Sequence, residues 1–207
     1  MNDSGVTKVK FELLPLCEED IKQFKTDMQA AFQQGAADEF GEMEEEILPE
    51  THIDRFLSAK GSAAYKAVVD GEMVGGAVVG INEETGHNHL DFLYVKAGVH
   101  GKGIGYQIWT AIEQKHPNTA VWETCTPYFE KRNIHFYINR CGFHAVEFFN
   151  RYHTDPHHPE DYEDFPENYY FEGMFRFEKV MKLLICSQIK NAESFEKQNF
   201  RRILWCP

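Results

Sequence analysis

The sequence contains 207 residues, of which 43% are hydrophobic and 14% aromatic, enough for one domain with its own buried core. Its 33 acidic and 21 basic residues give a formal net charge of −12, which repels phosphate backbones and attracts cations, so we exclude nucleic acid as a partner. No apolar run approaches the roughly 20 residues of a membrane span, and no membrane partner is expected. The five cysteines lack CxxC spacing and are typical of reduced thiols in a cytoplasmic protein.

The N-terminal part predicts one strand followed by two helices. After the strand "VKFELLP", apolar residues recur at helical spacing until Gly35, which we expect to end the first helix. An acidic stretch runs from Asp38 to Glu50. The hydroxyl of Thr51, three residues before an acid, predicts the start of a second helix that ends at Gly61.

The middle of the chain predicts a β-hairpin, a third strand and a helix. Two β-branched runs flank Asp70-Gly71, which is a strong hairpin signal. The helix after "GKGIG" is expected to stop at His116-Pro117. The third strand, "HNHLDFLYV", alternates in a way that predicts one face with His89, Asp91, Leu93 and Val95 and another with Leu90, Phe92 and Tyr94.

The remaining sequence predicts two more strands around a helix closed at Gly142, then a loop over residues 150–173 and a last strand, "MFRFEKVM". The element order is therefore β-α-α-β-β-β-α-β-α-β-β. This order predicts an α/β (α+β) fold with a mixed sheet, antiparallel first and partly parallel later.

The segment "GKGIG" joins a strand to a helix through Gly101, Gly103 and Gly105. Glycine allows close approach of the backbone, and a helix start exposes unpaired N–H groups, so this segment is a candidate anion site with Lys102 as an added cation. A tight connection that binds nothing is the alternative. A Walker loop requires Ser or Thr after the lysine, and a dinucleotide fold requires G-x-G-x-x-G, so neither motif is present.

The stretch "LYVKAGVHGKGIG" resembles the GNAT superfamily of acyl-CoA-dependent N-acyltransferases, whose motif is Q/R-x-x-G-x-G/A. His100 stands where Gln or Arg is usual, and Gly103 and Gly105 match the motif. The segment "NIHFYINRCGF" is similar to the family's second motif. The resemblance covers Lys8 to Met181, so residues 1–181 are expected to form a single domain and residues 182–207 a C-terminal extension.

The resemblance implies a mainly antiparallel twisted sheet, flanked by helices and splayed between strands 4 and 5. The family places the pantetheine arm of acetyl-CoA in that gap, where main-chain groups of strand 4 bind the arm and polarise the thioester carbonyl. The residues expected to bind acetyl-CoA are Leu93, Tyr94, Val95, His100, Gly101, Lys102, Gly103, Ile104, Gly105, Tyr106 and Asn133.

The resemblance also implies catalytic roles. An amine must lose a proton before it attacks, so the site needs a base. Asp91 is the first candidate and Glu123 the second. The alternative for each is an ordinary acid on the strand face or an ion-pair partner. Tyr137 is the candidate acid for the departing thiolate. The family's Tyr stands four residues before the glycine, where this sequence has Ile138. One residue turns a helical side chain by about 100°, so Tyr137 and Asn133 point elsewhere unless the helix is overwound or bulged.

The expected reaction is direct attack by a primary amine in a ternary complex, because no cysteine is expected near the reacting carbonyl. Cys125 and Cys141 are interpreted as small buried hydrophobes. Two acidic stretches, 38–50 and 153–165, frame the acceptor and favour a cationic small molecule or peptide, unless both are simply solvated. No metal site is expected at the cluster of His153, Asp155, His157 and His158.

Two other interpretations remain open from the sequence. A GNAT-like domain that binds acyl-CoA as a sensor, without useful turnover, is the main alternative. A dinucleotide-dependent oxidoreductase is disfavoured by glycine spacing and strand order. The extension at 182–207 is open to three roles: a docking helix, a homodimer contact or a frayed end.

Overall fold

The computed structural model describes residues 10–42, 44, 46–99, 103–155 and 173–181. The element order agrees with that predicted from the sequence. The strands are β1 (Phe11–Pro15), β2 (Ser62–Val69), β3 (Glu72–Gly80), β4 (His87–Val95), β5 (Val121–Pro127), β6 (His144–Phe149) and β7 (Met174–Val180). The helices are α1 (Ile21–Phe40), α2 (Glu50–Ser58), α3 (Ile104–Lys115), α4 (Lys131–His135) and a π-helix (Phe136–Cys141) that continues α4.

The strands form one seven-stranded sheet in the order β1-β2-β3-β4-β5-β7-β6. Neighbouring strands are antiparallel except for β4 and β5, which are parallel. The predicted mixed, mainly antiparallel sheet is therefore confirmed. The predicted hairpin is also present, and Asp70 (φ 52°) and Gly71 (φ 91°) adopt the left-handed conformation that a tight two-residue turn requires.

Helices cover both faces of the sheet and divide the core in two. On one face, α3 and the π-helix pack over a core that contains Trp109, Trp122 and Phe177. On the other face, α1 and α2 cover a core with Phe24 and Phe92. We call these the α3 face and the α1 face.

Two adjacent glycines in β3 allow both helices to approach closely. A Cβ on Gly75 would lie 3.2 Å from Ile108 Cδ1 of α3, and a Cβ on Gly76 would lie 2.3 Å from Phe24 Cε2 of α1. Both distances are too short for ordinary packing. The two glycines therefore allow α3 and α1 to pack close to β3 on its opposite faces.

Both predicted boundaries of the N-terminal helices need correction. Helix α1 passes through Gly35 and ends at Phe40, before Gly41 (φ 83°). The Glu130 carboxylate lies 2.9 Å from where a Cβ on Gly35 would be, so this glycine admits a neighbouring side chain and does not end the helix. Helix α2 begins after Pro49 and ends at Ser58, so Thr51 lies inside the helix and does not cap it. Pro49 supplies the extended backbone that precedes the first turn.

None of the described helices is both long and apolar enough to cross a lipid bilayer. Residues 156–172, which include His157 and His158, and residues 182–207 lie outside the described part of the chain.

Candidate active site

A gap opens in the middle of the sheet, between β4 and β5. Within these two fully described strands, the paired residues are His87–Val121, Asn88–Trp122 and His89–Glu123. Beyond these pairs the strands diverge, and the Thr124 hydroxyl donates a hydrogen bond of 2.9 Å to the Leu90 carbonyl across the start of the gap. The predicted splay between strands 4 and 5 is present.

A β-bulge at Asp91 shapes the β4 side of the gap. Val78 pairs with Phe92 and Val79 pairs with Leu90, so Asp91 is the extra residue. The predicted alternation along β4 is therefore wrong in part. Leu90 lies in the core of the α3 face, whereas Phe92 and Tyr94 lie in the core of the α1 face.

The main chain of β4 beyond the bulge offers hydrogen-bonding groups to the gap. The Lys96 N–H donates to the Val74 carbonyl of β3 at 2.9 Å. Because successive peptide groups of a strand point to opposite sides, the N–H and C=O groups of Leu93 and Val95 face the gap. They are placed as an extended ligand such as pantetheine would need.

Tyr94, by contrast, turns its main chain towards β3, where it is the register partner of Gly76. Its side chain is 3% exposed and meets the Phe24 ring edge-on at 5.2 Å. Burial first, and the nearby Asp27 carboxylate second, raise the pKa of Tyr94 well above its usual value. The expectation that Tyr94 binds the coenzyme through its main chain needs correction, since those groups belong to the sheet.

The start of α3 is arranged as an anion site. Gly103 adopts a left-handed conformation (φ 63°), and its carbonyl accepts the first bond of the helix, from Gln107 N–H at 3.0 Å. The N–H groups of Ile104, Gly105 and Tyr106 therefore have no acceptor within the helix and point out of its positive end. The first turn contains no acidic residue among these described positions.

The residues around the start of α3 are consistent with anion binding there. A Cβ on Gly105 would lie 3.5 Å from the Phe136 ring and 3.6 Å from Val95 Cγ2, so Gly105 packs between β4 and the π-helix. Tyr106 is 41% exposed, and the Arg140 guanidinium lies 5.5 Å from its ring centroid. Arg140 thus adds a positive charge that the sequence analysis missed. His100, Gly101 and Lys102 lie outside the described residues.

The π-helix resolves the spacing problem of Tyr137. Both Gly142 N–H and Phe143 N–H donate to the Tyr137 carbonyl, so the wide turn absorbs the extra residue before the glycine. Tyr137 is 7% exposed on the α3 face, and Ile138 is 41% exposed. It is Tyr137, and not the residue at the family's usual spacing, that points inward.

Tyr137 reaches the start of the gap through its contact with Thr124. Its side chain contacts that of Thr124, which donates a hydrogen bond to the Leu90 carbonyl. Burial raises the pKa of Tyr137 above its usual value, and Thr124 opposes this only in part. Asn133 lies half-buried on α4, one turn before Tyr137.

On the α1 face, the side chains of His89 and Asp91 meet at the bulge. His89 Nδ1 lies 2.7 Å from Asp91 Oδ1, and the Asp91 side chain is 8% exposed. The Cys125 thiol of β5 lies next to the His89 imidazole. Burial alone would lower the pKa of His89, but the contacts with Asp91 and Cys125 outweigh it and raise this pKa to about 10.

Cys125 lies on β5, two residues after the last residue pair of β4 and β5. The thiol is half-buried and free, beside the gap. One sequence signal predicts that His89 and Asp91 meet: they are two residues apart on a strand and so share a face. The proximity of Cys125 depends on the pairing of β4 with β5, which no local pattern shows.

Glu123 is placed in an ion-pair network and not as an isolated base. Its carboxylate accepts a hydrogen bond of 2.8 Å from Arg176 Nη1. The same guanidinium contacts Glu178 at 2.7 Å and Glu147 at 3.2 Å. Glu147 in turn pairs with His153 at 2.9 Å. A carboxylate bonded to a guanidinium is a poor proton acceptor, which disfavours Glu123 for that role.

The acidic stretch after α1 lies next to a half-buried carboxylate. Phe129 of the β5–α4 connection packs against Ala36 of α1 and Ile47, and this contact brings Glu130 beside α1. Burial first raises the pKa of Glu130, and Glu39 and Asp38 raise it further, against an opposing effect of Arg132. One side of the α1 face is therefore strongly negative.

Comparison with known proteins was consistent with this geometry. The sequence profile of the Acetyltransferase (GNAT) family matches residues 26–143. This chain belongs to the GNAT acetyltransferase family. The chain is also 44% identical over 184 residues to the uncharacterized protein YrkN of Bacillus subtilis (strain 168), covering 88% of this chain and 98% of YrkN.

Solved GNAT structures share the fold at low sequence identity. The ribosomal-protein-S18-alanine N-acetyltransferase of Escherichia coli superposes with a TM-score of 0.59 at 12% identity, covering 83% of this chain and 94% of the enzyme. The PaiA N-acetyltransferase of Thermoplasma acidophilum, solved in complex with coenzyme A, gives a TM-score of 0.57 at 16% identity, covering 83% and 99%. Family membership indicates acetyl transfer as the general activity.

Proposed function

We propose that this protein is an N-acetyltransferase that moves the acetyl group of acetyl-CoA to a primary amine. The observation that carries the proposal is the gap between β4 and β5, which has a buried phenol on its α3 face and a histidine–carboxylate pair on its α1 face. A thioester threaded through this gap would meet a proton donor on one side and a proton acceptor on the other.

The coenzyme is proposed to lie along β4 with its diphosphate at the start of α3. The free N–H groups of Ile104, Gly105 and Tyr106 would hold the diphosphate, together with the loop of His100, Gly101, Lys102 and Gly103. Leu93 and Val95 would hydrogen-bond the pantetheine arm. Asn133 would contact the coenzyme from α4. The comparison structure with coenzyme A bound supports this use of the fold.

Catalysis is proposed to use both faces of the gap. Tyr137 would donate its hydroxyl proton to the departing thiolate of the coenzyme. Its raised pKa keeps it protonated at neutral pH, as an acid must be. On the α1 face, the Asp91 carboxylate would take the proton that the amine loses, with the His89 imidazole held beside it. Glu123 would hold Arg176 in place instead of acting as a base.

The acceptor is proposed to be a cationic small molecule or peptide. The carboxylates of Asp38, Glu39 and Glu130 lie on the α1 face, where the amine would enter. The formal charge of −12 favours the approach of such an acceptor. We place the reaction in the cytoplasm, where the described thiols Cys17, Cys125 and Cys141 stay reduced. Residues 1–181 would form the complete transferase domain.

The test is a pair of measurements on the full chain. Calorimetry with coenzyme A should show a saturable complex, and release of free thiol from acetyl-CoA should depend on an added amine from a panel of polyamines, amino sugars and basic peptides. Binding without turnover across the panel would support an acyl-CoA sensor instead. No binding at millimolar coenzyme A would overturn the proposal.

A further inference from the structure

Three side chains with complementary chemistry meet on the α1 face at the start of the gap. His89 Nδ1 lies 2.7 Å from Asp91 Oδ1, and the Cys125 thiol lies next to the same imidazole. A nucleophile, a base in contact with it, and a carboxylate that orients the base are the parts of an activated cysteine.

The strand register explains why these residues meet. His89 is the register partner of Glu123, the last pair before β4 and β5 diverge. Cys125 follows Glu123 by two residues and Asp91 follows His89 by two, so all four side chains project from the α1 face. The bulge at Asp91 bends β4 here. The thiol therefore lies where main-chain pairing has just ended and a ligand in the gap would begin.

Charged groups surround the imidazole that lies beside the Cys125 thiol. Asp91 holds the imidazole from one side, and the Glu123 carboxylate lies 3.9 Å from Nε2 on the other, with its charge shared by Arg176. The contacts with Asp91 and Cys125 raise the pKa of His89 to about 10 against the effect of burial.

The other described cysteines have different surroundings. Cys141 is 2% exposed in the core of the α3 face, where burial raises the pKa of its thiol to about 12. Cys17 is exposed, and its sulfur lies 3.8 Å from the Pro15 carbonyl oxygen. Neither contacts an imidazole within the described residues. Cys125 is thus distinguished from both by its partners.

We propose that Cys125 accepts the acyl group from acyl-CoA, so that transfer to the amine proceeds through an acyl-cysteine. The inference rests on the proposed function, because it assumes that acyl-CoA occupies the gap.

The two steps balance without any other reactant. In the first, the Cys125 sulfur forms a bond to the thioester carbon, the bond from that carbon to the coenzyme sulfur breaks, and the thiol proton passes by way of His89 to the coenzyme thiolate, in place of the Tyr137 proton that direct attack would use. In the second, the amine nitrogen bonds the same carbon, the bond to Cys125 breaks, and the amine proton passes to His89. One thioester is exchanged for another, so the first step is close to isoenergetic and reversible.

Reversibility supplies a test that needs no knowledge of the acceptor. The full-length protein is incubated with acetyl-CoA and isotopically labelled coenzyme A, without amine, and the appearance of label in acetyl-CoA is followed. We expect wild-type protein to exchange the label, and Cys125→Ala and Cys125→Ser to lose exchange by about a hundredfold or more. Cys17→Ser is the matched control, and its exchange should equal that of wild type.

A second measurement locates the acyl group and controls for folding. Acid-quenched wild-type protein should carry one added acetyl group on the peptide that contains Cys125, and hydroxylamine should remove it. His89→Gln should reduce this labelling. Calorimetric binding of coenzyme A checks that each variant is folded.

The outcomes separate this inference from the proposed function. If the protein binds coenzyme A and acetylates amines but shows no exchange, or if Cys125→Ala exchanges as wild type does, the acyl-cysteine is overturned and direct attack in a ternary complex stands. If the protein binds no coenzyme A, both proposals fail together. Exchange that requires Cys125, with or without a known acceptor, supports the covalent route.

Discussion

Thr124 donates a hydrogen bond of 2.9 Å to the carbonyl oxygen of Leu90, across the place where β4 and β5 stop pairing. The same side chain contacts Tyr137, so one residue both bridges β4 and β5 at the start of the gap and lies against the candidate acid. Because Thr124 is 1% exposed, water cannot replace it without entering the core.

We expect Thr124→Val to lower the free energy of unfolding by about 1–3 kcal/mol, since it leaves buried hydrogen-bonding groups unpaired. It should also lower kcat, because Tyr137 loses a polar neighbour. Thr119→Val is the matched control: Thr119 is equally buried, and its hydroxyl accepts from Asn88 at 2.7 Å, outside the gap. Chemical denaturation and steady-state kinetics report the two effects. A comparable fall in kcat for both variants would contradict the role assigned to Thr124.

The role of Tyr137 as an acid predicts that Tyr137→Phe lowers kcat by roughly 10²-fold, with little change in the affinity for coenzyme A. Tyr65→Phe is a suitable control, because Tyr65 hydrogen-bonds a neighbour, His116 at 3.0 Å, but belongs to β2. Calorimetry and amine-dependent thiol release distinguish binding from turnover. An unchanged kcat would remove Tyr137 from the mechanism.

The π-helix can be tested by moving the hydroxyl by one residue. In Tyr137→Phe/Ile138→Tyr, the new phenol occupies the family's usual spacing but, at an exposed position, points to solvent. We expect no recovery of kcat over the single variant. Recovery would mean that the helix adopts regular α-helical spacing during turnover.

Glu130 predicts a pH dependence of stability. Its pKa is raised in the folded protein, so the folded state binds its proton more tightly than the unfolded state does. Its contribution is therefore most favourable at low pH and is lost as the pH rises from the unfolded pKa of about 4.3 through the raised folded value. We expect Glu130→Gln to melt at a higher temperature than wild type at pH 7, and the difference to vanish near pH 4. Thermal melts across this range would show the reverse if Glu130 were a stabilising ion-pair partner.

Gly76 of β3 predicts a large packing effect. A Cβ on Gly76 would lie 2.3 Å from the Phe24 ring and 2.6 Å from the Tyr65 carbonyl oxygen, so Gly76→Ala should cost about 2 kcal/mol or more. In the same strand, a Cβ on Gly80 would lie no nearer than 3.7 Å to its neighbours, and Gly80→Ala should change stability much less. Equal midpoints in denaturant for the two variants would contradict this account.

Local sequence signals were sufficient for the element order and the sheet class. The turn at Asp70-Gly71 and the stop at His116-Pro117 depend only on neighbouring residues, and both were predicted correctly. Gly35 was misleading because its lack of a side chain serves packing against Glu130, which comes from a distant part of the chain. A glycine that ends a helix and one that admits a neighbour have the same local pattern.

The candidate site was predictable in position but not in detail. The glycine-rich turn and the divergence of β4 and β5 followed from the family resemblance. The bulge at Asp91 depends on how β4 pairs with β3, and the contact of Cys125 with His89 depends on the register of β5. Both are tertiary relationships without a periodic signal. The extra residue before Gly142 was recognised as an irregularity, but only the structure shows that a π-helix absorbs it.

The gap also divides the sheet mechanically. Within the described strands, the ladder that joins β1–β4 to β5, β7 and β6 has three residue pairs, to which the Thr124–Leu90 bond and the side-chain contacts of His89 are added. Such a seam allows the two halves of the sheet to unfold locally as separate units, which native-state amide hydrogen exchange would detect. A substrate that bonds to both β4 and β5 would join the two halves into one cooperative unit. Amide protection should then rise in both halves together.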